Sequence, residues 1–313
     1  MRRLLDYFSN GITSQTLQSV GMEVETQFVT TTGEPISVEP SQAILRRLVE
    51  GLRGWRISKT KGELITELIE DNGSVLSYEL GRHNIEFSSA PLTTSSIPFL
   101  PRMGLENLYF FAEELGAYPY FAPVLPGSED LLVIPDERDA NWLKLDGRDA
   151  LSPLARTSSV QFTISVSPND AINILNGLGS NLDKFLLNYP QDLVWKQYIA
   201  SSQANYRSDR YGGPLIFANL DNYCELLGRN NVIQGTQLIP LSQVTELDIP
   251  LYLRSIWWHF RLKRYGNSLC IEVRPLPRLN DNRFEDQFRQ VTNIFKWYGS
   301  RKPNYYYGSG WEH

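Results

Sequence analysis

The sequence predicts an α+β fold: one domain over residues 1–313, with an antiparallel sheet in the centre and helices packed outside. Three observations carry this. Five runs alternate apolar and polar residues with period two, as strands do when one face lies on a core. Asn72-Gly73, between two of the apolar stretches, supplies the positive backbone angles of a tight hairpin turn. The remaining apolar residues recur at helical spacing, and no internal repeat, low-complexity tract or linker divides the chain. A chain of 313 residues has ample core to fold alone. The body is placed at about 19–298 and a tail at 299–313.

The first strand runs from Ser19 to Val29. Val20, Met22 and Val24 face one way, and Glu23, Glu25 and Gln27 the other. A turn at Thr31–Pro35 leads to a helix opened by Pro40-Ser41, with Ile44, Leu45, Leu48 and Leu52 on one side and an end at Gly51 and Gly54. Leu64–Ile69 and Ser74–Leu80 flank Asp71-Asn72-Gly73 as a hairpin. Asn84–Pro91 alternates again, placing Asn84, Glu86 and Ser88 together.

Gly104–Leu115 reads as a helix. Ala117–Leu154, rich in Pro, Gly and Asp, reads as a long irregular excursion of the kind that carries function. Ser158–Val166 is a clean strand with Gln161, Thr163 and Ser165 on one face. A broken helical region follows from Pro168 to about Ala204. Next come a glycine-containing loop, Asn205–Pro214, whose Arg207 and Arg210 are expected over the mouth of a site, and a short helix at Asp221–Leu227. In Ile256–Lys263, His259, Arg261 and Lys263 oppose Trp258, Phe260 and Leu262. In Leu269–Pro275, Glu272 and Arg274 oppose Ile271 and Val273, with a turn at Tyr265-Gly266-Asn267 between the two strands. A helix from Phe284 to Tyr298 ends the body.

Composition narrows the function. Hydrophobic residues make up 42% and charged residues 21%, which excludes disordered and fibrous classes. A net charge of −5 without a long basic run disfavours nucleic acid, with Arg261, Lys263 and Arg264 as the local exception. Cys224 and Cys270 form no Cys-x-x-Cys pair, which fits a reducing, cytoplasmic setting. Met1–Leu5 is basic then apolar, but Asp6 and Asn10-Gly11 end the run, so neither a signal peptide nor a membrane span is expected. There is no phosphate-loop motif, Gly-x-Gly-x-x-Gly fingerprint, His-x-x-x-His pair among His83, His259 and His313, or Gly-x-Ser-x-Gly elbow.

The polar faces hold the chemistry. Solvated strand faces favour Lys, Thr and interspersed charge, whereas these collect Glu23, Glu25, Glu86 and Glu272 with His259, Arg261 and Arg274, and Gln161 and Thr163 beside them. Carboxylates held side by side call for a cation, and arginines among them suit phosphate. The bland alternatives are solvated glutamates and cross-strand ion pairs, with Trp257-Trp258 as core rather than a substrate platform. Glu79 stands as a further candidate.

Gly21-Met22-Glu23-Val24-Glu25, Asn84-Ile85-Glu86-Phe87-Ser88, Val160–Ser165, His259-Phe260-Arg261 and Cys270-Ile271-Glu272-Val273-Arg274 come in an order that resembles the carboxylate-amine ligases related to glutamate-cysteine ligase, of the glutamine synthetase-like superfamily. The resemblance spans about residues 19 to 275. It implies a sheet curved into a funnel with a polar concave face that holds ATP and Mg2+, and amide formation through an acyl phosphate, often on a glutamate γ-carboxylate. Carried over by motif, it makes Glu23, Glu25, Glu86 and Glu272 metal ligands. It gives Arg274 contact with phosphate, places Gln161 and Thr163 beside the nucleotide, and sets His259 and Arg261 in the catalytic pair before the last motif. Relatives often carry His-x-His where this chain has Gln161-Phe162-Thr163, and the chain is short for the group. The expected partners are a small-molecule carboxylate and an amine, with no nucleic acid or membrane; a homodimer is allowed. Two other functions fit the same scaffold: a nucleotide- or amino-acid-binding protein without activity, and a guanidino-type phosphotransferase.

Overall fold

The computed structural model describes residues 2–93, 100–127, 137–186, 188–245 and 248–299. The expected tail beyond residue 299, with Tyr305-Tyr306-Tyr307 and His313, lies outside the described residues. The strands are β1 (Val20–Val29), β2 (Trp55–Lys61), β3 (Leu64–Glu70), β4 (Val75–Tyr78), β5 (Asn84–Ser88), β6 (Tyr118–Tyr120), β7 (Ser159–Ser165), β8 (Tyr211–Gly212), β9 (Val232–Gln234), β10 (Gln237–Ile239), β11 (Trp257–Trp258), β12 (Phe260–Tyr265) and β13 (Ser268–Pro277).

Nine of them form one sheet in the order β12-β13-β7-β1-β5-β4-β3-β2, with β6 beside the end of β1. Every pairing within it is antiparallel. The sheet is open, with β2 and β12 as its edges. Asp71-Asn72-Gly73 turns β3 into β4 as its sequence requires, with Gly73 at φ +90°. Gly266, at φ +57°, turns β12 into β13.

Alternation along each strand separates two faces. Val20, Met22 and Val24 of β1, Ile85 and Phe87 of β5, Phe162 and Ile164 of β7 and Ile271 and Val273 of β13 are all buried in one core. The helices close that core with their apolar stripes: Ile44, Leu45 and Leu48 of helix Val38–Gly51, Leu105 and Leu108 of Leu100–Glu114, and Val291, Ile294 and Phe295 of Phe284–Gly299. At about 25 cal/mol per Å2 of apolar surface removed from water, this shared face is the main source of stability.

Three expectations are corrected. Ala117–Leu154 is not one irregular excursion: β6 and the helices Glu137–Asp146 and Arg148–Leu154 occupy much of its described part. With helix Gln191–Ser201 these helices build a second apolar cluster, holding Leu145, Leu151, Leu154, Tyr198, Tyr206 and Trp257. The helices therefore do not all lie behind the sheet. The strand at 256–263 is broken at His259: β11 leaves the main sheet to pair in parallel with β8.

Candidate active site

The polar faces of the strands converge on one cavity of about 1200 Å3, lined from Lys59 and Lys61 on β2 to Lys263 on β12, so the sheet curves around it. Strand register sets the neighbours. Glu25 lies opposite Glu86 on β5, Glu23 lies opposite Gln161 on β7, and Thr163 on β7 lies opposite Glu272 on β13. Arg261 on β12 lies opposite Glu272. Arg274 sits where the β13–β7 register shifts, between Val273 and Leu276. Pro275, which has no N–H to give the ladder, follows it.

Glu272 is fully buried and held by three cations. Arg261 Nη2 reaches its Oε2 at 2.6 Å and Arg274 Nη1 at 3.2 Å, while Lys263 Nζ pairs with Oε1. Burial raises the Glu272 carboxyl, but Arg261, Lys263 and Arg274 together reverse this and hold it far below the usual carboxylate range. Arg261 is anchored from behind by the carbonyls of Leu253 and Ile256, the latter at 2.7 Å.

The other half of the site is acidic. Glu25 Oε2 accepts from Ser159 N at 2.8 Å, and its Oε1 accepts from Ser159 Oγ at 2.9 Å and Gln161 Nε2 at 3.0 Å. Burial first, and the charge of Glu79 next, push its carboxyl up to about 8. Glu86 accepts from Ser88 Oγ at 2.6 Å. Burial, then Glu23, Glu79 and Glu25, raise it well above its ordinary value. Both shifts favour the protonated carboxyl, burial most strongly and the facing carboxylates next.

Three predicted positions lie elsewhere. His259 does not line the cavity: with the strand bent at this residue, its Nε2 stands 3.4 Å from Asp192 Oδ1, against the edge of Tyr211. Burial lowers its pKa although Asp192 opposes that. Arg210 is not at the mouth but is 1% exposed, with its guanidinium 4.5 Å from the centre of the Tyr206 ring. Arg207 is exposed and pairs with Asp209 at 3.0 Å. The basic cluster at 261–264 is split: Arg261 and Lys263 face the cavity, while Arg264 donates to Tyr7 O at 2.6 Å on the far side.

Sequence reasoning missed other lining residues. Trp142, Trp195 and Trp257 form an aromatic wall at one end, with Trp142 and Trp195 edge-on or tilted to Trp257 at 5.9 and 5.5 Å. Of the Trp257-Trp258 pair expected as core, Trp258 is core, whereas Trp257 also faces the cavity. Trp142 and Trp195 come from helices whose faces carry mixed polar and apolar residues, and no local pattern directs them to the sheet. Lys59, Lys61 and Arg254 also line the cavity, as does Glu79, which the sequence offered as a further candidate.

The donor chemistry on the acidic side suits a hard divalent cation. Among the described residues Gln161 Oε1, beside Glu23 and Glu25, is a buried oxygen without a hydrogen-bond partner, and so is Thr163 Oγ1, which lies opposite the cation-held Glu272. Among the described residues no three acidic, imidazole or thiol groups stand close enough to hold a metal by themselves.

No protein-family model and no curated protein sequence matches the chain. Among solved structures it is similar to a bifunctional glutathione synthetase from Pasteurella multocida, with TM-score 0.49 and 10% identity over 94% of this chain and 39% of that one. It is also similar to a glutamate–cysteine ligase from Francisella tularensis solved in complex with AMP, with TM-score 0.50 and 11% identity over 90% of this chain and 67% of that one. The chain thus spans well under half of the first protein and about two thirds of the second. Its mixed architecture, helices with an open antiparallel sheet, is the fold of that glutamate–cysteine ligase.

Proposed function

We propose that this chain is an ATP-dependent carboxylate–amine ligase on a glutamine synthetase-like scaffold, acting on an amino acid carboxylate of γ-glutamyl type. The observation that carries the reading is the division of one large cavity into an acidic half, at Glu25 and Glu86, and a cationic half, at Arg274, Arg261 and Lys263, within a fold shared with a known ligase. A substrate carboxylate oxygen attacks the γ-phosphorus, ADP leaves, and an amine nitrogen then attacks the acyl carbon, losing a proton as phosphate departs. Charge accumulates on phosphoryl oxygens in the first step. Arg274, half-committed to Glu272 and lining the cavity, is the residue to meet it.

Mg2+ held at Glu25 and Glu86 would neutralise the phosphates. Gln161 and Thr163 present oxygens to the same space. Arg261 acts as a positioning residue, since Glu272 and two backbone carbonyls use its guanidinium. His259 acts only through its contacts with Tyr211 of β8 and Asp192 of the helix Gln191–Ser201. The second core that supplies the tryptophans gives the cavity an apolar end for part of a substrate.

The test is phosphate release from ATP with glutamate and a panel of amines. The ligase reading expects release only when carboxylate and amine are both present, with ADP and an amide as products. No nucleotide turnover with any pair, despite nucleotide binding, would leave a binding protein. A stable phosphorylated product would mark a phosphotransferase.

A further inference from the structure

Glu23 and Glu272 come from strands separated by β7, and the sequence motifs place a divalent ion between them. The space is already taken. Lys263 Nζ is paired to Glu272 Oε1 and lies 3.7 Å from Glu23 Oε1. The lysine is held there by the sheet itself: Lys263 pairs with Cys270 across β12–β13, which puts it on the same inward face as Arg261 and Glu272. Its side chain is 19% exposed, while that of Glu272 is fully buried. Two carboxylates therefore meet three cations, since Arg261 and Arg274 hold the other oxygen of Glu272. A divalent ion entering here would meet a net positive field, whereas among the described residues Glu25 and Glu86 accept hydrogen bonds from neutral donors.

We infer that Lys263 is a built-in counter-ion that replaces a divalent cation between Glu23 and Glu272, leaving Glu25 and Glu86 as the cation-binding side of the cavity. The last clause rests on the proposed function; the first does not. Lys263 is a positioning residue in this role: it keeps Glu272 ionised and tied to the arginines, without a metal.

Counting bound Mn2+ by electron paramagnetic resonance, on the full chain without nucleotide, separates the two parts. The expected result is one Mn2+ in the wild type. Lys263→Met, and the gentler Lys263→Gln should the first not fold by circular dichroism, are expected to bind one ion more than the wild type. Glu23→Gln is expected to keep the wild-type count, with affinity changed less than threefold. A lysine variant that folds and gains no ion overturns the inference, as does a tenfold loss of Mn2+ affinity in Glu23→Gln. Wild type with no ion, and a lysine variant with one, would keep the counter-ion role and remove the metal side of the proposed function.

Discussion

At the scale of single residues, the cavity depends on which carboxyls have cations beside them. Glu25 has none in ion-pair contact among the described residues, and its folded value of about 8 lies above its ordinary 4.5. The folded chain therefore keeps a proton that the unfolded chain has released. Stability from this group is complete below about pH 4.5 and is lost as pH rises through about 8. Without metal, the thermal midpoint of the wild type should fall from pH 5 to pH 9 by more than that of Glu25→Gln, which cannot ionise. The variant should be more stable at pH 9 by roughly 1–3 kcal/mol, seen in denaturant titration. An unchanged difference between the two proteins across that range would contradict the placement of Glu25. Arg261 is the opposite case. Arg261→Met removes a donor from the buried Glu272 carboxylate and from two backbone carbonyls, and should cost about 3–5 kcal/mol, measured by urea unfolding.

The residues that could be read from sequence are those whose direction follows from their own strand. Glu23, Glu25, Glu86, Gln161, Thr163, Glu272 and Arg274 all line the cavity, because alternation is a local property. What alternation cannot reveal is the partner across the sheet. Alternation places Lys263 on the inward face of its strand, but its engagement with both Glu272 and Glu23 follows from the β12–β13–β7–β1 order, which no single segment contains.

At the scale of elements, the same reasoning explains what was missed. β2 shows no apolar alternation because all but its first residue are exposed on an edge strand. The helices at Glu137–Asp146 and Arg148–Leu154 are rich in Asp and contain Gly147 and Pro153 at or between them, so their composition resembles a loop. Trp258–Lys263 alternates, and an unbroken strand there would put His259 on the face of Arg261. The pairing of β11 with β8 bends the chain at that point, and Gly213 makes this pairing possible. Gly213 has φ +69°, and a Cβ there would lie 2.4 Å from the Trp258 ring. Gly213→Ala should therefore cost more than about 2 kcal/mol in unfolding free energy, through strain and a clash in the core. Loss of less than about 0.5 kcal/mol, the range of an ordinary surface substitution, would show that this bend is not fixed by the glycine.

At the scale of the whole molecule, one curved sheet brings acidic and cationic walls into a single space and closes one end with aromatic rings. No helix among the described residues is long and apolar enough to cross a membrane. Two buried cysteines are free, and burial pushes Cys224 up to about 12 and Cys270 up to about 11, so neither is suited to act as a nucleophile near neutral pH. Under the proposed function the reacting groups are the carboxylates and cations of the cavity, and the nucleotide would bind there with its metal. Calorimetric titration of a non-hydrolysable ATP analogue, with and without Mg2+, tests this most directly. Binding is expected to require Mg2+, to strengthen as pH rises through about 8 when Glu25 loses its proton, and to weaken at least tenfold in Glu25→Gln. Analogue binding that is equally tight without Mg2+ and in Glu25→Gln, or no binding at all, would contradict it.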